Sequence, residues 1–162
     1  MSNISFVLLP GGLHTPAVWA GIKSKLTPHG YYVEALSLPS VGGNPPTYDF
    51  TEDVKVTRDA VTKWADHGKD VVVVSHSISG LVAGEALSGL GKSEREAKGL
   101  RGGVIRLVYI MAWMVPEGFQ LSPRGDVSWM PPSMKHNLEV YLFLFHRFLL
   151  FGPFRSNRLT VP

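Results

Sequence analysis

A serine at residue 77 stands where an unbroken β-branched run drives into a turn of small residues, Val71-Val72-Val73-Val74-Ser75-His76-Ser77-Ile78-Ser79-Gly80. A hydroxyl so placed can attack a carbonyl carbon, provided that a base takes its proton and backbone N–H groups hold the oxygen that becomes negative. The four valines predict a strand buried on both faces, as in a parallel sheet covered by helices. Residues 78–90 predict a helix. Strand, sharp turn and immediate helix is the setting in which a Gly-x-Ser-x-Gly motif acts as a nucleophile elbow. Here serine replaces glycine at 75 and 79, a mild departure, because only small side chains let strand and helix approach. The alternative is a serine-rich strand end in which Ser75 or Ser77 merely caps the helix.

A second segment supplies the other half of such a site. Residues 4–9 (ISFVLL) predict a buried strand running into Pro10-Gly11-Gly12-Leu13-His14-Thr15-Pro16, followed by an amphipathic helix over 16–27 with Val18, Trp19, Ile22 and Leu26 on its apolar face. Acyl transfer on a serine takes one N–H from the residue after the nucleophile and one from a loop after an earlier strand. Ile78 and Gly12 are the candidate donors.

On these residues the chain resembles α/β-hydrolases, particularly the small esterase and hydroxynitrile-lyase-like branch. Phe6 to His14 with Trp19 is similar to that family's oxyanion loop, with Pro10 replacing the usual histidine. Residues 31–38 with Pro39 and Gly42-Gly43 resemble the next strand and loop, and residues 104–111 followed by Ala112-Trp113-Met114-Val115-Pro116 resemble the strand after the nucleophile helix. The resemblance implies a carboxylesterase-like serine hydrolase with Ser77 as nucleophile and Gly12 and Ile78 as oxyanion donors. His14, Tyr109, Met111 and Trp113 are candidates for pocket or loop support, with ordinary core packing as the other reading for the last three.

The family's triad runs serine, acid, histidine along the chain. No strand ending in an aspartate and no Gly-His follow Pro116, and the resemblance implies a chain of ~250 residues, the upper range for one domain. This chain therefore reads as a C-terminally truncated or mis-spliced member, incomplete at the C-terminus. Of the six histidines, His14 is expected to hold its loop through backbone carbonyls and His76 to point away from the side Ser77 faces. His29 and His67 are expected to be solvated, and His136 and His146 fall in an atypical tail.

The elements that must position these residues alternate as strand 4–9, helix 16–27, strand 31–37, helix 50–67, strand 70–75, helix 78–90 and strand 103–111. That pattern predicts an α/β, doubly wound, mainly parallel sheet in three αβα layers, with its ligand site at the carboxyl ends of the strands. Residues 91–101 read as a helix end and loop. The division is a hydrolase-like core over 1–137 and an apolar, then basic tail over 138–162.

Two apparent phosphate sites fail. Residues 86–93 (ALSGLGKS) follow a helix where a phosphate loop must follow a strand, and Gly11-Gly12 lacks the dinucleotide spacing. No cofactor and no metal are expected. Net charge is +3 with pI near 9.3, but the basic residues are scattered without aromatic interleaving, so no nucleic-acid partner is expected. With no cysteine and no signal peptide in view, the cytoplasm is the expected compartment.

Residues 138–151 (LEVYLFLFHRFLLF) are shorter than the ~20 apolar residues that span a bilayer, so membrane attachment is disfavoured. Three functions stay open. They are a serine hydrolase acting on a small ester or related carbonyl through an acyl-enzyme, a catalytically incomplete fold that at most binds a small ligand, and a peripheral membrane protein held by 138–151. In the second, strand 104–111 becomes an exposed sheet edge through which copies self-associate.

Overall fold

The computed structural model describes residues 2–44, 47 and 49–116. Four parallel strands, β1 (Ile4–Leu9), β2 (Tyr32–Ala35), β3 (Asp70–His76) and β4 (Gly103–Ile110), form one sheet in the order β2-β1-β3-β4. The helices are α1 (Ala20–Leu26), α2 (Thr51–Asp66), α3 (Ser79–Ala86) and α4 (Lys92–Glu96), with 3-10 turns at Pro16–Trp19 and Thr27–His29. Among the described residues this is the expected doubly wound parallel sheet.

The order follows from burial. Val71 to Val74 are at most 8% exposed, so β3 takes the covered centre, with β1 on one side and β4 on the other. Alternate residues divide between two apolar layers. Val7, Val71 and Val73 pack with Val61 of α2 and with Val82, Ala83 and Leu87 of and beyond α3, while Leu8, Val72 and Val74 pack with Trp19 on the opposite face. Each such side chain taken from water contributes roughly 1.5–3 kcal/mol before the entropy of ordering is subtracted. Between Val71 and Val72 the β3–β4 register shifts, so that Val71 faces Val104 but Val72 faces Arg106.

Several boundaries differ from expectation for identifiable reasons. The segment 16–27 opens as a 3-10 turn behind Pro16, and Val18 and Ile22 are exposed; only Trp19 of its apolar set is buried. The strand expected over 31–37 pairs only at Tyr32–Ala35. Helix α3 stops at Ala86 and not at 90, since Leu87 leaves helical geometry and Gly89 adopts φ +74°. Residues 91–101 include α4, whose first turn is fastened by the Glu94 carboxylate accepting the Gly91 N–H at 3.2 Å. Arg95 of α4 is buried, donating to the Gly102 carbonyl and to Asp66.

Among the described residues, no helix is long and apolar enough to cross a membrane. The proposed 138–151 anchor, the tail boundary, His136 and His146 lie outside the described residues.

Candidate functional site

The sheet reverses its winding between β1 and β3. The chain steps outward from β1 to β2, then crosses back over β1 through α2 to β3. In parallel sheets the crevice at the carboxyl ends of two such strands is where ligands bind. Gly11 and Gly12 follow β1, and Ser77 follows β3.

Ser77 has φ +56°, a left-handed conformation that a non-glycine residue adopts at a cost of about 1–3 kcal/mol. Its surroundings hold it there. The Ser77 N–H donates to the Ile110 carbonyl at 3.4 Å, and its carbonyl accepts the Trp113 N–H at 3.0 Å. A β-carbon on Gly80 would overlap the Trp113 carbonyl oxygen, so the segment after β4 lies directly on the start of α3. On the other side, a β-carbon on Gly11 would come within 3.1 Å of the Ser77 β-carbon and 2.7 Å of His76 Nδ1.

The serines at the motif's small positions have structural work. Ser75 and Ser79 are fully buried; the Ser75 hydroxyl donates to the Val108 carbonyl at 3.4 Å, and the Ser79 hydroxyl donates to the Pro10 carbonyl. The latter ties α3 to the glycine loop, a role that glycine at this position could not fill. Neither Ser75 nor Ser77 caps α3: Ile78 precedes its first turn, and no side chain bonds there. The capping alternative is therefore wrong.

Gly12 sits against Ile78, with a β-carbon position 3.4 Å from Ile78 Cγ2. Neither the Gly12 N–H nor the Ile78 N–H donates to another described residue. Backbone donors left without a partner among the described residues are the kind of group that can hold an oxyanion.

His14 accepts the role expected of it, its Nδ1 lying 2.9 Å from the Gly12 carbonyl oxygen. The His76 ring packs edge to face against His14 (5.7 Å between centroids) and Trp19 (6.5 Å), on the face of the sheet opposite α3. The ring-nitrogen hydrogen bonds of the described histidines go to the carbonyls of Gly12 and Lys63, not to Ser77.

The three outer candidates separate. Tyr109 lies opposite Ser75 in the sheet, half-buried, and burial holds its phenol above the ordinary tyrosine value. Trp113 reaches the turn through its backbone. Met111 is 92% exposed with φ +43°, so it is not packed as a core residue.

A contact the motif did not announce holds the loop after β2. Asp53 of α2 is completely buried and accepts the Ser40 N–H at 2.9 Å and the Ser40 hydroxyl at 2.5 Å. Burial raises its carboxyl above the ordinary value, the Ser40 bonds oppose this, and Asp49 and Glu52 add to the rise. The pair is separated by thirteen residues and has no local sequence signature.

A polar groove of about 430 Å³ lined by Asn3, His67, Asp70, Lys92, Glu96 and Arg101 lies at the amino ends of the strands. It is therefore remote from Ser77. Among the described residues, no cluster of three or more His, Asp or Glu side chains could hold a metal ion.

Comparison with known proteins agrees with this geometry. The model of the alpha/beta hydrolase family matches residues 6–160. The alpha/beta hydrolase nvfD of Aspergillus novofumigatus is 40% identical over 128 residues, covering 76% of this chain and 50% of the relative. The probable hydrolase R7 of a Phoma species is 32% identical over 114 residues, covering 69% and 43%. The chain spans about half the length of the curated relatives it matches. Among solved structures, polyneuridine aldehyde esterase superposes with a TM-score of 0.55 at 22% identity, covering 85% of this chain and 48% of that one. Tomato methylketone synthase I with 2-tridecanone gives 0.55 at 19% identity, covering 72% and 42%. At these identities the structural likeness shows the fold.

Proposed function

Because the chain belongs to the alpha/beta hydrolase family, we propose that it carries the nucleophile half of a serine hydrolase acting on a small ester or related carbonyl compound. What supports this reading is Ser77 in a left-handed conformation at the turn after β3, with Gly11 against it and the N–H groups of Gly12 and Ile78 unpaired among the described residues. The Ser77 oxygen attacks the carbonyl carbon and its proton passes to a base. The carbonyl oxygen, now negative, is held by the two N–H groups. Collapse of the tetrahedral adduct breaks the bond to the alcohol, which leaves with a proton, and water then cleaves the acyl-serine to free acid. His14, Tyr109 and Trp113 support the pocket or its loops. The substrate is a small molecule, and the absence of cysteine is in keeping with a cytoplasmic setting.

Labelling with an active-site-directed fluorophosphonate tests this. Stoichiometric labelling of the wild type that Ser77→Ala abolishes is the expected result. Wild type that stays unlabelled overturns the hydrolase reading.

A second reading is favoured by the histidine bonds, which leave Ser77 without an imidazole partner among the described residues. In it the fold binds a small apolar ligand without turning it over, and copies pair through β4, the edge of the described sheet. Binding of a neutral ester without its hydrolysis, by a concentration-dependent dimer, is the outcome that selects it.

A further inference from the structure

The lysines and arginines of the described molecule sit on α1, α2, α4, β4 and the loops before β3 and β4, and none lies in the described segments beside Ser77. The described residues of the segments that follow the carboxyl ends of the four strands, 10–15, 36–44, 47, 49–50, 77–78 and 111–116, include no lysine or arginine. Their one carboxylate is Asp49. The basic residues of α2 nearest this end are already engaged, Lys55 with Asp59 and Arg58 with the carbonyls of Ala86 and Ser88.

The same end presents apolar side chains to solvent. Leu13 is 47% exposed and directly follows Gly12; Met111 is 92% exposed and Met114 77% exposed. The backbone places them on both flanks of the serine. Gly11 abuts Ser77 on the β1 side, while Ile110 and Trp113, which enclose Met111, hydrogen-bond to Ser77 on the β4 side. Leu13 and Met111 both have positive φ, at +66° and +43°. Branched or long side chains are kept in that conformation only where the surrounding structure imposes it.

Resting on the serine-hydrolase reading above, we infer that the site takes an uncharged substrate whose apolar acyl or alkyl chain lies between Leu13 and Met111, and that it rejects esters carrying a carboxylate on that chain. An anionic chain entering here meets no cation among the described residues. Its desolvation is uncompensated. An aliphatic chain instead covers Leu13 and Met111 and removes their surface from water along with its own.

The test uses the full chain and two fluorophosphonates of equal length, one with a butyl group and one ending in a carboxylate. Rates of covalent labelling at Ser77 are measured for the wild type and for Met111→Lys and Leu13→Lys. The expected result is labelling about tenfold or more faster with the butyl probe, and a ratio that narrows in both lysine variants as the butyl probe loses apolar contact and the carboxylate probe gains a cation. Equal rates for the two probes on wild type overturn the selectivity while leaving Ser77 as nucleophile. Reaction with neither probe overturns the serine reading and this inference with it. Thermal melting of each variant identifies any that fail to fold, and the other lysine variant then decides.

Discussion

Trp113 donates its backbone N–H to the carbonyl oxygen of Ser77 at 3.0 Å, while the Trp113 carbonyl oxygen occupies the space beside Gly80. The segment after β4 thus serves as the outer wall of the turn after β3, and neighbouring strands in space fasten a bend that neither would hold alone. Gly80→Ala must push this wall away or move α3. The expected loss is about 1–3 kcal/mol of stability, the cost of overpacking a tight contact, with slower labelling of Ser77. Urea unfolding checks the first and fluorophosphonate kinetics the second; an alanine variant as stable as wild type refutes the contact.

The glycine loop presses on the serine turn from the opposite side. Gly11→Ala places a methyl group 2.7 Å from His76 Nδ1 and 3.1 Å from the Ser77 β-carbon, so it is expected to abolish labelling at Ser77. Ser77→Gly removes the backbone strain of φ +56° and is expected to exceed Ser77→Ala in stability by about 1–3 kcal/mol. Equal melting temperatures for the alanine and glycine variants at Ser77 would show that the turn is not strained.

Much of this was legible because it is local. Val71 to Val74 announce a covered strand, and Ser77 among small residues announces the turn. Gly11-Gly12 after the first apolar run announces the loop that meets it. What was not legible depends on contacts between distant segments. The early end of α3 at Ala86 follows from Leu87 packing into the core and Gly89 turning the chain, although the apolar pattern continues to Leu90. Val18 and Ile22 have helical spacing, yet the described structure covers only Trp19. Gly80 reads as part of a motif, and nothing nearby in the chain announces that Trp113 lies against it.

Asp53 gives a pH-dependent test of the loop after β2. Burial raises its carboxyl above the ordinary 3.8 despite the bonds from Ser40. For an acid whose folded value lies above its unfolded value, stability is greatest below the unfolded value and falls as pH rises through the folded one. Asp53→Asn keeps an acceptor for the Ser40 N–H without a charge, so it is expected to melt higher than wild type near neutral pH. The advantage should shrink as pH falls toward about 4. Asp53→Ala, which leaves the Ser40 donors unpaired, is expected to lose about 1–3 kcal/mol at neutral pH. A pH series of thermal melts decides: an asparagine advantage that grows on acidification contradicts this account.

The register shift between β3 and β4 has a consequence for the whole carboxyl end. Pairing passes from Val71–Val104 to Val72–Arg106, and Ile105 is the residue passed over. Because side chains alternate along a strand, one surplus residue inverts the phase of all that follow. Ile105 therefore acts as a phase setter. It brings Tyr109 into line with Ser75 and Ile110 with His76, and so delivers the Ile110 carbonyl to the Ser77 N–H one step further on. The alignment of the serine turn is counted off from a single residue at the far end of the sheet.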